Sequence, residues 1–253
     1  MDTKKPLGEP VICLNCGTEV IAKFCPECGQ DTKVDTITMM GSLRDTFTET
    51  TDYDGRIFTT LREMFLNPGK SSLAYVRGSR VRYIHPVKYF LIAMGITLIA
   101  MNFAQVDGVA PEAKINLPEF LDLPEAAKQQ LANYALQYAH LVMLAFLPIC
   151  GFYLGIFFKK RRTAGETTTL LFYLNGNMGI LSAMTMALGL SGNPAVAFVQ
   201  SSFVLMYSLW AILVFFESSF FQGAWRALVA YVCYSITIVV ILTIGIKIYG
   251  VLI

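Results

Sequence analysis

The chain has 253 residues, 55% of them hydrophobic and only 15% charged, where soluble domains average about 25% charged. Mean hydropathy is +0.52, and a net charge of +2 gives no global pull toward nucleic acid. These values exclude a soluble enzyme, a disordered protein, a collagen-like fibre and a secreted disulfide scaffold, and they predict a membrane protein. Residues 1–88 hold 12 Lys+Arg and 11 Asp+Glu, whereas 131–253 hold only Lys159, Lys160, Arg161, Arg162, Glu166, Glu217, Arg226 and Lys247. The fold expected is mainly α: a multi-pass α-helical membrane protein with about five transmembrane helices and a small N-terminal zinc ribbon.

Met1 to Pro10 carries Lys4 and Lys5 but no apolar core and no small-residue cleavage site, so no signal peptide is expected and the head should stay in the cytoplasm. Residues 1–35 form the first domain. There Cys13-Leu14-Asn15-Cys16-Gly17 and Cys25-Pro26-Glu27-Cys28-Gly29 make C-x2-C-x8-C-x2-C. Two residues between cysteines let both thiolates converge on one ion, and the following Gly permits the positive φ that aims backbone N–H groups at sulfur. The pattern predicts one structural Zn2+ held by Cys13, Cys16, Cys25 and Cys28. Four Cys ligands leave no open position for catalysis, and a reducing compartment disfavours disulfides. The ribbon has four basic and six acidic residues, so nucleic acid is not expected as a partner.

Residues 36–86 form an amphipathic, interfacial segment. Apolar residues at 57, 58, 61, 64 and 65 make a helical stripe from Asp54 to Leu66, stopped by Asn67-Pro68-Gly69. Beyond it Lys70, Arg77, Arg80, Arg82 and Lys88 occur with no acidic residue among them. They are candidates for contact with anionic lipid headgroups; the alternative is that the segment packs on the cytoplasmic ends of the spans.

The body, 87–253, contains uncharged runs of 18, 30, 50 and 20 residues. A crossing takes about 20, and Ser191-Gly192-Asn193-Pro194 splits the longest run. Spans are expected at about 87–105, 138–158, 167–190, 195–216 and 227–249, with 129–137 as an amphipathic lead-in. The basic residues before the first span, Lys159 to Arg162 after the second and Arg226 before the fifth all agree on one orientation, N-terminus in the cytoplasm and C-terminus outside. The acidic 107–128 loop then lies outside. Asn175 and Asn177 are intramembrane polar residues about 200° apart on an ideal helix, suited to interhelical hydrogen bonds or, alternatively, a solute contact. Glu166 and Glu217 fall at cytoplasmic ends, solvated or paired with Arg161, Arg162 or Arg226. Cys150 and Cys233 read as small buried apolar groups.

The double CxxCG ribbon ending Cys28-Gly29-Gln30, then Thr59-Thr60-Leu61, Asn67-Pro68-Gly69, Tyr75-Val76-Arg77-Gly78-Ser79-Arg80, Tyr83 and His85-Pro86-Val87-Lys88-Tyr89-Phe90, resembles bacterial domain-of-unknown-function family 3667. That family's pattern has Gly-Lys-Arg where this chain has Gly78-Ser79-Arg80. The resemblance implies a cytoplasmic zinc ribbon on a multi-pass protein of the bacterial inner membrane and carries no activity.

No nucleophile elbow, Gly-rich phosphate loop, H-E-x-x-H or buried carboxylate pair occurs, so no enzyme is expected. The expected function is a membrane-anchored adaptor or regulator that docks a protein or anionic membrane lipids at the cytoplasmic face, with a homo-oligomer compatible. A small-solute or lipid transporter, which would place Asn175 or Asn177 at a cavity, and an assembly subunit of a membrane complex are the alternatives.

Overall fold

The computed structural model describes residues 10–34, 36–37, 55–106, 139–159 and 162–252. The 107–128 loop, the 129–137 lead-in and the chain before residue 10 lie outside the described residues. Two short strands, β1 (Val11–Ile12) and β2 (Glu19–Val20), pair antiparallel with Val11 opposite Val20. Seven helices follow among the described residues: α1 (Arg56–Leu66), α2 (Pro68–Val76), α3 (Pro86–Val106), α4 (Ala139–Phe157), α5 (Ala164–Ala187), α6 (Pro194–Phe215) and α7 (Phe220–Leu252).

Local chemistry sets the ends. Asn193 caps α6, its side chain accepting from the Ala195 N–H at 2.9 Å, with Pro194 in the first turn. Thr163 and Glu166 form a reciprocal capping box on α5, the Thr163 hydroxyl accepting from the Glu166 N–H at 3.2 Å and the Glu166 carboxylate accepting from the Thr163 N–H at 3.0 Å. Glu166 is thus a cap, and among the described residues it forms no ion pair; Arg161, one of its expected partners, lies outside them. Asn67-Pro68-Gly69 stops α1 as expected and also starts α2, with Pro68 in its first turn.

Among the described residues, three helices are long and apolar enough to cross a membrane: α3 over Pro86–Phe103, α6 over Pro194–Phe215 and α7 over Phe220–Gly245. The other two expected spans are helical but differ in kind. In α4 the described apolar stretch is the shorter Leu144–Phe157. Helix α5 has 24 residues but includes Thr167, Thr168, Thr169, Asn175 and Asn177, because it is the central helix and faces protein on most sides. Twelve of its residues are buried, and it touches α1, α2, α3, α4 and α6. The three threonine hydroxyls donate to the carbonyls four residues earlier, at 2.7 to 3.1 Å, so none needs water.

Glycines bring the helices close to α5. A Cβ on Gly176 would lie 2.7 Å from the Tyr89 ring and one on Gly179 3.0 Å from the Thr97 hydroxyl, so α3 and α5 lie side by side in the same direction. Gly151 faces Thr168 and Gly155 faces the Arg162 carbonyl, which makes α4 and α5 an antiparallel hairpin. Asn177 meets Tyr207, and Thr185 meets Gln200 at 3.3 Å, so α5 and α6 are antiparallel too. The N-terminal ends of α3 and α5 and the C-terminal ends of α4 and α6 therefore share one end of the bundle. Phe158 stacks on Phe216 there, centroids 4.1 Å apart, closing the core beneath Tyr173, Leu170 and Met64.

Candidate metal centre and its docking loop

The ribbon is two copies of one turn. The Cys13 N–H donates to the Thr18 carbonyl and the Gly17 N–H back to Cys13; the Cys25 N–H donates to Gln30 and the Gly29 N–H back to Cys25, all at 2.8 to 2.9 Å. Gly17 and Gly29 have φ of 81° and 73°, the left-handed backbone glycine adopts at least cost. Each knuckle thereby presents two thiols to a common point. The four Sγ atoms lie within 4.8 Å of one another, with Cys13 to Cys28 at 3.6 Å and Cys16 to Cys25 at 3.5 Å. Tetrahedral thiolate coordination at about 2.3 Å needs sulfurs about 3.8 Å apart, whereas a disulfide needs about 2.05 Å. The four cysteines are free thiols whose arrangement fits one metal ion.

Hydrogen bonding with the Thr18 hydroxyl, 3.3 Å away, draws the Cys16 thiol down to about 6, and desolvation pushes the Cys25 thiol up to about 11.

The ribbon is fastened to the bundle through the loop between α2 and α3. The Gln30 side-chain carbonyl accepts from the Arg80 and Val81 N–H groups, both at 3.2 Å, and Gln30 is only 5% exposed. The Ser79 hydroxyl donates to the Leu14 carbonyl at 2.8 Å. Leu14 lies over Gly78, where an added Cβ would stand 2.6 Å from the leucine Cδ1, and Gly78 has φ 122°. Only glycine meets both demands. With that side engaged, the ribbon still exposes Ile12 (63%), Phe24 (53%) and Ile21, with the Lys23 ammonium 5.0 Å from the Phe24 ring centroid.

The candidate lipid-contacting cations do not form one row. Arg77 pairs with Glu217 at 2.7 Å, and Arg162 reaches the same carboxylate at 3.9 Å. Arg80 is half-buried beneath the ribbon, and Lys88 is half-buried at the start of α3. Arg82 pairs with Glu63, which also accepts from the Tyr83 hydroxyl at 2.7 Å. Burial by itself raises the Glu63 carboxyl, but the bonds from Arg82 and Tyr83 outweigh it and hold Glu63 below the usual range; burial and the same carboxylate push Tyr83 up to about 12. Lys70 is exposed, beside Arg62, a residue the basic-run pattern passed over.

The two asparagines part company. Asn175 bonds back to the Leu171 carbonyl of its own helix at 2.8 Å. Asn177 is fully buried with both amide N–H groups engaged: its amide N donates to the Met64 carbonyl at 2.9 Å and to the Tyr207 hydroxyl at 3.0 Å, and its amide O accepts from the Tyr89 hydroxyl. Tyr207 donates to the same Met64 carbonyl at 2.6 Å. Carbonyls in the last turn of a helix have no partner within it, so Asn177 and Tyr207 satisfy the end of α1 where Pro68 cuts it short. Neither asparagine lines the groove between α1, α2 and the loop at Arg82, nor the apolar cavity between residues 197–212 of α6 and 224–231 of α7. Cys150 and Cys233 are half-buried rather than fully buried.

Fold and site together define a mainly helical protein of membrane type that carries a four-cysteine centre capable of holding a metal ion. Within that class, residues 54–98 match the family described as "Protein of unknown function (DUF3667)", and over that segment the chain resembles it. No curated protein and no solved structure matches the chain. The matched stretch covers α1, α2, the ribbon-holding loop and part of α3, so it contains the platform on which the ribbon sits.

Proposed function

We propose that the protein is a membrane-anchored zinc-ribbon adaptor of the bacterial inner membrane, whose ribbon docks a protein partner at the cytoplasmic face. The observation that carries this reading is the ribbon's placement: one side is locked to Gly78–Val81, while Ile12, Ile21 and Phe24 face outward. An apolar surface held in a fixed orientation is suited to a protein partner. Zn2+ is the preferred ion because four cysteines on two short knuckles match a closed structural site, and when bound it would supply the ribbon with the folding energy that about 25 residues cannot draw from a core. In this reading α4 and α5 cross the bilayer with α3, α6 and α7, α5 shielded by its neighbours. The ribbon end is cytoplasmic, as Arg77, Arg80, Arg82, Lys159 and Arg162 at that end support.

The test is copurification in gentle detergent of intact protein beside Ile12→Glu/Phe24→Glu, with zinc content as the control for ribbon folding. A protein retained by the intact chain and lost from the variant at unchanged zinc is expected. Identical copurifying proteins for both would remove the adaptor reading. The transport alternative gains nothing from Asn177, which is fully buried with both amide N–H groups bonded inside the core.

A further inference from the structure

A groove of about 460 Å³ opens at the ribbon end of the bundle between the second half of α1, the first turn of α2 and the loop at Arg82 and Tyr83. Three cations line it, Arg62, Lys70 and Arg82, against one carboxylate, Glu63. Glu63 is engaged by Arg82 and Tyr83. Arg62 and Lys70 are exposed and form no ion pair among the described residues, so two positive charges remain in excess. Asn67 and Lys70, also in the wall, flank the start of α2, which has no side-chain cap and no acidic residue in its first turn. The positive end of a helix dipole adds to the attraction for an anion. Charge and geometry together suit a phosphate group.

The lip of the groove decides what carries that phosphate. On α1, Phe58 and Leu66 lie one turn either side of Arg62 on the same stripe, and they are 77% and 59% exposed. A soluble phosphate compound has no use for two exposed apolar side chains beside its cations, whereas a phospholipid at the membrane interface does. We propose that this groove binds the phosphate of an anionic phospholipid headgroup, with Arg62 and Lys70 as its ligands and Phe58 and Leu66 set in the acyl boundary. The proposal rests on the membrane-embedded reading and is independent of what the ribbon docks.

Native mass spectrometry of the full chain, released from micelles doped with phosphatidylglycerol or with phosphatidylcholine, tests it. The wild type should retain phosphatidylglycerol selectively. Arg62→Gln/Lys70→Gln should bind it about 30-fold more weakly, the weight of two surface cations, and Arg62→Lys/Lys70→Arg should keep it. Should the double glutamine variant fail to fold, the exposed Lys70→Gln alone should lose about fivefold. Equal retention of both lipids, or a folded glutamine variant that binds as the wild type does, overturns the proposal. Displacement of phosphatidylglycerol by millimolar inorganic phosphate overturns the lipid assignment in favour of a soluble phosphate. Fractionation of cells keeps the two readings apart: a chain absent from the membrane fraction fails the embedded reading, and one present there without lipid selectivity fails only this one.

Discussion

Glu63 shows how a single residue ties the segment before α3 together. Its carboxylate is held by Arg82 and Tyr83, across 19 and 20 residues of chain, while its backbone carbonyl accepts from the Asn67 N–H at 2.9 Å and the Ser71 hydroxyl at 3.1 Å. The folded protein therefore favours the ionised carboxylate, so the stabilisation is fully present above the unfolded carboxyl range of about 4.3 and fades as pH falls through the lower folded value. Thermal unfolding in detergent should place Glu63→Gln below the wild type at pH 7, with the gap closing under about pH 4. A constant gap across that window would mean that the pair contributes nothing through its charge. None of this was legible in the sequence, where Glu63 is one acid in an amphipathic stripe and Arg82 one of several basic residues.

Among the elements, the ones written in local chemistry were readable and the ones made by long-range contact were not. The knuckles follow from cysteine and glycine spacing alone, and the helices fall within a few residues of the uncharged runs, except that α7 begins at Phe220 rather than near 227. Helix α2 was hidden because it is buried on nearly every side, from Pro68 to Val76, so it shows no amphipathic stripe, and Asn67-Pro68-Gly69 reads equally as a stop and a start. The Thr163-to-Glu166 capping box carries its own signature, Thr-x-x-Glu, which charge alone hides, since by charge Glu166 is either solvated or paired with an arginine. Asn177 was legible as an intramembrane polar residue, but its partners are 30, 88 and 113 residues away, and no local pattern names them. The contact between α3 and α5 gives the element-scale prediction. Gly176→Ala forces a methyl into the Tyr89 ring and should destabilise by about 1–3 kcal/mol, whereas Gly95→Ala on α3, with open space around it, should be neutral or slightly stabilising. Equal melting temperatures for the two variants in the same detergent would show that the helices pack less closely than the contacts at Gly176 and Gly179 indicate.

For the whole molecule, the consequence of the architecture is that a four-cysteine ribbon able to hold a metal ion and a helical bundle act as one unit. Gln30 stands two residues beyond the last of the four cysteines and is positioned by the second knuckle, whose Cys25 N–H bonds to the Gln30 carbonyl. Its side chain in turn holds the Arg80 and Val81 N–H groups. Loss of the metal should release the knuckle, then Gln30, then the loop. The cysteine pattern made the ribbon legible, but nothing in the sequence marked Gln30, Leu14 and Gly78 as the surfaces that fasten it, because docking two folded parts leaves no periodicity.

The most direct measurement is limited trypsin digestion of the purified full chain before and after chelation, with cleavage after Arg80 followed by mass spectrometry and zinc counted in parallel. One zinc per chain is expected, with the Arg80–Val81 bond protected while it is bound and cleaved once it is stripped. Cleavage after Arg80 at the same rate with and without metal would contradict a metal-folded ribbon locked to the bundle.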